Sequence, residues 1–434
     1  MKKKLFLLAL LPMLLAGCEF EPDSFETDLK STVLMVGYKQ EYAQEFVLKH
    51  DVLKTPSNEF NKDLALFTYG ASMANKDKDS IVKFYRDMMF SSLELSKAYD
   101  YQPTKDSIAY AIGSRNLNHE KVVLVSVRGF NYGAEWSSNL NVGLEGDHAG
   151  FRAAAETLLE DLDDYISTYH HQNSKFIFTG YSRGGAVANM CAKLLFENQN
   201  KIIKNENCYF YTYEAPKGCE SYHEYNNVFN IVNPADLVPM IAPAEYGFYR
   251  VGKDIVLDNS NVEEDCKNYD ETIVIPQFKP FTYDGAEVTQ NTLPQTLIDI
   301  LRTPSFGEQS IDTREKFVNV VQGTADYFLS MFMSLPSTIT SKIGAALTQM
   351  PTMDVLNLIG NPEEIANFLK PFLDEAHYAY DDAELLSYSQ KLSTFIVSGP
   401  GVGLIMLYGF FGEDFSRMIQ MHYPEVNYPL LEAL

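Results

Sequence analysis

The stretch Phe176-Ile177-Phe178-Thr179-Gly180-Tyr181-Ser182-Arg183-Gly184-Gly185-Ala186-Val187-Ala188-Asn189 constrains this chain more than any other. It begins as a short apolar run of strand type and ends as an alanine-rich helix start, with almost no chain between them. A turn that sharp holds Ser182 in a strained backbone conformation. Side chains at positions 180 and 184 would collide with neighbouring segments, so glycine is required there. The serine hydroxyl is left exposed at a strand end, which makes Ser182 a candidate nucleophile. The helix N-terminus behind it offers amide N–H groups and a positive dipole to a developing oxyanion, and the N–H of Arg183 is the first candidate donor.

The flanking sequence supplies the context such a turn needs. A strand is expected at Thr32–Val36, then helices at Glu41–Leu48, Glu59–Met73 and Ser80–Ala98. Two β runs follow, Ser107–Gly113 and Val122–Val127, joined as a hairpin by the polar turn around Asn116–Glu120. Next come a helix at Phe151–Ile166, the strand Phe176–Phe178, a helix from Gly184 to Phe196, and apolar strands at Tyr209–Tyr213 and Val228–Val232. Strands alternating with helices predict an α/β fold with a mostly parallel sheet flanked by helices. After Ala242 the pattern changes to a β-rich patch, Gly247–Leu257 and Thr272–Phe278, and then to helices from Thr292 to Gln420.

Composition excludes other classes. A chain of 434 residues that is 46% hydrophobic, with 25 Gly and 19 Pro, is neither disordered nor collagen-like. A formal net charge of −23 repels polyanions, so nucleic acid is not an expected partner. No internal repeat or low-complexity tract is present. At the N-terminus, Lys2, Lys3 and Lys4 precede the apolar run Leu5–Leu15, which has the form of an export signal and is too short for a permanent span. The run ends in Leu15-Ala16-Gly17-Cys18, which resembles the lipobox of bacterial lipoproteins and makes Cys18 a candidate lipidation site. The acidic stretch Glu19–Asp28 then reads as a solvated tether. Of the remaining cysteines, Cys191 and Cys208 fall in apolar patterns that suit buried thiols. Cys219 with Cys266 is the pairing to expect if the chain holds a bridge. The His and Cys spacings form no zinc pattern.

A nucleophilic serine needs a base, and the base needs an acid that fixes its tautomer. Asp236 and Glu214 both stand at the carboxyl ends of strands, where α/β sheets place reactive groups. With the chain order serine, acid, histidine, only His377 and His422 follow Asp236.

Around this stretch the sequence resembles the class 3, or fungal-type, lipase family of α/β-hydrolases. Four further segments carry the resemblance, in the family's order. Val122–Gly129, with Trp136 and Asn139-Leu140 after it, is similar to that family's strand, Arg-Gly turn and downstream Trp-x-x-Asn-Leu. His148-Ala149-Gly150-Phe151 is similar to its His-x-Gly-Phe. Tyr211–Pro216 resembles its strand ending in Ala-Pro, and Asn230–Pro239 resembles its acid-bearing Asn-x-x-Asp-x-Val-Pro. The likeness runs from Ser107 to Pro239. It implies Asp236 as the triad acid. It also implies His422 as the base, because Met421-His422-Tyr423-Pro424-Glu425 with Tyr428 resembles the family's terminal segment. His148 matches a position that is not the base. The second oxyanion donor would be the backbone N–H of Phe130, where many relatives carry a hydroxyl residue. Arg183 likewise replaces a common leucine.

The resemblance implies acyl-ester hydrolysis through an acyl-enzyme on Ser182, with an ester or lipid substrate and with no metal or organic cofactor. The expected layout is a signal peptide at 1–17, a tether at 18–30, a hydrolase core at 31–242, a mainly helical insertion or cap at 243–415, and a C-terminal segment at 416–434 returning the histidine. The 186 positions between Asp236 and His422 exceed the family's usual length. Their apolar helices, such as Phe317–Met333 and Asn367–His377, and the run Val402–Phe411, suit a core of their own and a cap over an acyl pocket. Such a chain would sit in the bacterial cell envelope, exported and lipid-anchored. Two other readings stand beside this one: a phospholipase or thioesterase, and an envelope-binding lipoprotein that keeps the fold with little turnover.

Overall fold

The computed structural model describes residues 27–99, 108–130, 138–139, 141–197, 203–242, 244–302, 313–318, 361–397, 417–418 and 420–434, with isolated positions between 327 and 360. Cys18, Trp136, Leu140, the run Val402–Phe411 and most of Phe328–Met333 lie outside the described residues.

The chain enters as a hairpin of β1 (Leu29–Val36) and β2 (Glu41–Leu48), paired in unbroken antiparallel register. Glu41–Leu48 is therefore a strand and not the expected helix. Tyr42, Phe46 and Leu48 point to the buried side, and the alternation is masked in sequence by Gln44. That side chain donates to Tyr428 Oη at 2.9 Å and accepts from Tyr269 Oη at 3.0 Å, so a polar residue occupies an inward position. Helices α1 (Lys62–Ala74) and α2 (Lys78–Asp87) follow, each opened by a side chain that accepts from the first turn, Asn61 and Asp77. The expected helix to Ala98 stops at Asp87. Met89 turns the chain with a left-handed φ of 55°, and β3 (Ser91–Leu95) begins.

The central sheet has seven strands in sequential order: β3, β4 (Tyr110–Leu117), β5 (Glu120–Val127), β6 (Lys175–Tyr181), β7 (Cys208–Tyr213), β8 (Val228–Val232) and β9 (Lys253–Val256). The first two pairings are antiparallel and the rest parallel. The turn between β4 and β5 is tighter than expected, with Asn118 and His119 both at positive φ. Because β9 pairs with β8, the sheet continues past residue 242, the expected end of the core. Two helices cover one face: α3 (Ala149–Tyr169) and α4 (Arg183–Glu197), over Val123, Val125, Phe176, Phe178 and Phe210. Phe178 and Phe210 stack at 4.4 Å in that layer. The opposite face packs against α1 and the N-terminal hairpin.

Beyond β9 the chain first stays on the core. Helix α5 (Val262–Tyr269) and the segment containing Ile273 and Ile275 bury against the α1 side; Thr272–Phe278 forms no strand. A short hairpin, β10 (Phe281–Tyr283) with β11 (Ala286–Val288), leads to α6 (Leu293–Arg302). Farther on, α7 (Pro362–Glu375) and α8 (Asp382–Val397) share a separate apolar cluster with Met331, Leu335, Ile339 and Ile343. The last helix, α9 (Pro424–Ala433), returns to the α1 side, burying Val426, Leu430 and Leu431. Among the described residues no helix is long and apolar enough to cross a membrane.

The four cysteines from Cys191 onward are buried and free. Cys219 lies in the apolar layer on the α3–α4 face and Cys266 in the layer on the α1 face, so the sheet stands between them and rules out that pairing.

Candidate active site

Ser182 sits between β6 and α4 with φ at 51°, the left-handed conformation that the sharp turn demands. Its N–H donates to Tyr213 O at 2.8 Å, tying the turn to β7, and its carbonyl accepts the first helical bond from Ala186 N–H at 3.0 Å. A Cβ on Gly180 would meet the Gly184 backbone, and one on Gly184 would come within 2.5 Å of Val127 O. The glycines on either side are thus steric requirements of this elbow.

Asp236 follows the end of β8. It is fully buried, and its Oδ1 accepts from Val238 N–H at 2.9 Å. His422 stands just before α9. Its Nδ1 lies 2.6 Å from Asp236 Oδ2 and its Nε2 lies 2.9 Å from Ser182 Oγ. A carboxylate can only accept, so Nδ1 carries the hydrogen and donates to Asp236. Nε2 is then the free lone pair that accepts the serine O–H. The imidazole keeps 16% of its surface open while the aspartate keeps none, so the charge of the acid is shielded and the base remains reachable. The structure therefore brings Ser182, Asp236 and His422 together. His377 is exposed just past α7 with φ at 51°, outside this cluster.

Arg183 opens α4, whose N-terminus faces the serine. Its side chain turns inward, only 1% exposed, and Nε donates to Ser138 Oγ at 3.1 Å. Phe130 stands beside the triad, its ring 5.0 Å from that of Tyr181 and 6.5 Å from the imidazole of His422. His148 is buried as the N-cap of α3 and accepts from Phe151 N–H. Burial, with the positive charges of Arg183 and Arg314 nearby, holds its pKa down to about 3, so it is a neutral structural group.

Three residues that the sequence analysis did not single out hold the histidine loop. Tyr181 Oη donates to His422 O at 2.8 Å and accepts from Asn427 Nδ2 at 2.8 Å. Asn427 Nδ2 also donates to Met421 O at 2.9 Å, and its Oδ1 accepts from Asn233 Nδ2 at 2.9 Å. The only signal in the sequence is a lone asparagine inside the apolar run around Val426 and Leu430. Glu214 is also here. It is fully buried beside Asp236, and both of its oxygens lie 3.0 Å from Asn233 N. Among the described residues no group of three or more His, Cys, Asp or Glu side chains is arranged to hold a metal ion.

Comparison with known proteins gives the following. Residues 124–246 match the profile of the class 3 lipase family; the match holds Ser182 and Asp236 and ends well before His422. The secreted mono- and diacylglycerol lipase 1 of Fusarium solani is 26% identical over 178 residues, which is 37% of this chain and 51% of that protein. The lipase of Rhizomucor miehei is 32% identical over 111 residues, 24% of this chain and 29% of the relative. The chain thus spans about half the length of the first and less of the second. Among solved structures, Rhizomucor miehei triacylglyceride lipase has 19% identity and a TM-score of 0.34, over 46% of this chain and 81% of its own. The lipase of Rhizopus microsporus var. chinensis has 16% identity and the same TM-score, over 55% and 80%. Residues 124–246, which carry the nucleophile and the acid on the parallel part of the sheet, are thus similar to the class 3 lipase family of α/β-hydrolases.

Proposed function

We propose that the protein hydrolyses acyl esters through a covalent acyl-enzyme on Ser182. The observation that most supports this is the position of His422, within hydrogen-bond reach of both the serine hydroxyl and a buried carboxylate. Ser182 Oγ attacks the acyl carbonyl while His422 Nε2 takes its proton. The tetrahedral oxyanion is met by backbone N–H groups of Arg183 and Phe130 and by the positive end of α4. The C–O bond to the alcohol breaks as His422 returns the proton to the leaving oxygen. Water, deprotonated by the same nitrogen, then releases the acid and frees Ser182. Asp236 keeps Nδ1–H oriented and stabilises the transient imidazolium.

The substrate class rests on the family likeness and on the relatives, one named a lipase and the other a mono- and diacylglycerol lipase. Helices α7 and α8, which share an apolar cluster of their own, suit a cap over an acyl pocket. The N-terminal signal and Cys18 support an exported, lipid-anchored protein. Labelling of the purified protein with a fluorophosphonate separates this reading from a binding protein that keeps the fold. Modification at Ser182, blocked by Ser182→Ala, is expected; an unlabelled wild type would leave only the binding role.

A further inference from the structure

Glu214 is the first residue after β7, adjacent to Tyr213, whose carbonyl anchors the nucleophile's N–H. Its backbone is left-handed, with φ at 47°, a conformation that strains a residue with a side chain. Its carboxyl is nonetheless fully buried and lies against that of Asp236. Among the described residues of this site Ser182 and Glu214 are left-handed, and the strain at Ser182 belongs to the nucleophile's turn.

The surroundings of Glu214 do not suit a second anion. Among the described residues its donor is Asn233 N–H, shared between the two carboxyl oxygens. The charged and titratable groups facing it are Asp236 from the end of β8, Arg250 before β9, Tyr69 on α1 and Tyr181 on β6. Arg250 is engaged elsewhere, donating to Ala215 O, Pro239 O and the Asp254 carboxylate. Two buried carboxyls in contact do not both ionise. Asp236 faces the imidazole and has a backbone donor of its own, so the shared proton belongs on the other acid. Burial and the neighbouring Asp236 charge accordingly push the Glu214 carboxyl well above the ordinary glutamate range.

Building on the hydrolase reading, we propose that Glu214 is a neutral carboxylic acid whose O–H donates to the Asp236 carboxylate, making it a positioning residue that acts on His422 through Asp236. While it donates to Asp236 it still accepts from Asn233 N–H. Asn233 in turn donates to Asn427, which holds Met421 O beside the histidine. One side chain thus fixes the acid and, through Asn233, the backbone that carries the base.

Substitution at Glu214 tests this with two independent readouts. In Glu214→Gln the amide can accept from Asn233 and donate to Asp236, so kcat should match the wild type. Glu214→Leu and Glu214→Gly lose both bonds, the second while relieving the backbone strain, and each should lower kcat about 10- to 100-fold with little change in KM. The thermal readout needs no substrate. Unfolded, Glu214 ionises near pH 4.3 or so; folded, it keeps its proton to higher pH, so the wild type loses stability as pH rises above about 4 and Glu214→Gln does not. The Tm advantage of Glu214→Gln should widen between about pH 4 and pH 8. A Tm difference that is flat with pH, or a Glu214→Gln enzyme as slow as Glu214→Leu, would overturn the proposal. If the wild type turned over no ester, the hydrolase reading would fall, and the thermal readout would still decide the protonation of Glu214.

Discussion

Ser182, His422 and Asp236 act as one unit in this geometry, because each hydrogen bond fixes the group that makes the next. Their removal should therefore be far from additive. Ser182→Ala is expected to cost about 10³–10⁶ in kcat while the fold persists, and adding His422→Ala to it should cost little more. Steady-state kinetics on an aryl ester, with circular dichroism as the control for folding, measures both. Activity near wild type in Ser182→Ala would move the nucleophile elsewhere. Asp236 and Glu214 show why residue type alone did not choose between the acids. Both stand at strand ends and both are fully buried. Only the three-dimensional path of the histidine loop decides that Asp236 meets the imidazole and Glu214 stands behind it.

Among the elements, the elbow was the most legible, because its physics is local. An apolar strand, two sterically required glycines and an alanine-rich helix lie within the one stretch from Phe176 to Asn189. The parallel strands β6, β7 and β8 were legible for a similar reason: buried on both faces, they read as continuous apolar runs. Elements whose character is set by distant partners were not. Strand β2 spaces Tyr42 and Phe46 like a helix because Gln44 answers to Tyr269 and Tyr428, far along the chain. Helix α2 ends at a left-handed methionine rather than a glycine, so no stop was visible. The base was recognisable from its context near the C-terminus, yet the clasp of Tyr181, Asn233 and Asn427 that holds it was not. Asn427→Leu should test that clasp, since it strips donors from Met421 O and Tyr181 Oη. Leaving such groups unpaired costs about 1–3 kcal/mol. A lower Tm with a reduced kcat is expected. A lower Tm with unchanged kcat would show that the clasp stabilises the fold without positioning His422.

At the scale of the molecule, a long stretch of chain separates the acid from the base, and the last helix packs back on the core. Asp236 is supplied by the sheet, whereas His422 is delivered by a segment that follows α6, α7 and α8. Site assembly therefore depends on docking of α9, whose Val426, Leu430 and Leu431 share a layer with α1. Proteolytic loss of residues beyond Gln420 should abolish turnover while the sheet remains folded. The other whole-molecule expectation concerns the N-terminus. Cys18→Ser should shift the protein from the membrane fraction to the soluble fraction or leave its signal uncut. A mature chain starting elsewhere than Cys18 and carrying no acyl group, found by mass spectrometry, would exclude the anchor.

The placement of Cys219 and Cys266 on opposite faces of the sheet turns oxidation into a race against folding. Once the sheet has formed, no oxidant can join the two sulfurs, and burial raises the thiols of Cys191, Cys219 and Cys266, the last to about 12, so thiolate is scarce there. Before it has formed, nothing keeps the same sulfurs apart, and any bond between them locks in a chain that cannot close its core. Refolding from denaturant should therefore fail increasingly as oxidised glutathione is added early and become indifferent to it when added late. A Cys219→Ser, Cys266→Ser chain should lose most of that sensitivity. An equal yield from both chains under early oxidant would show that the sheet forms faster than the sulfurs can meet.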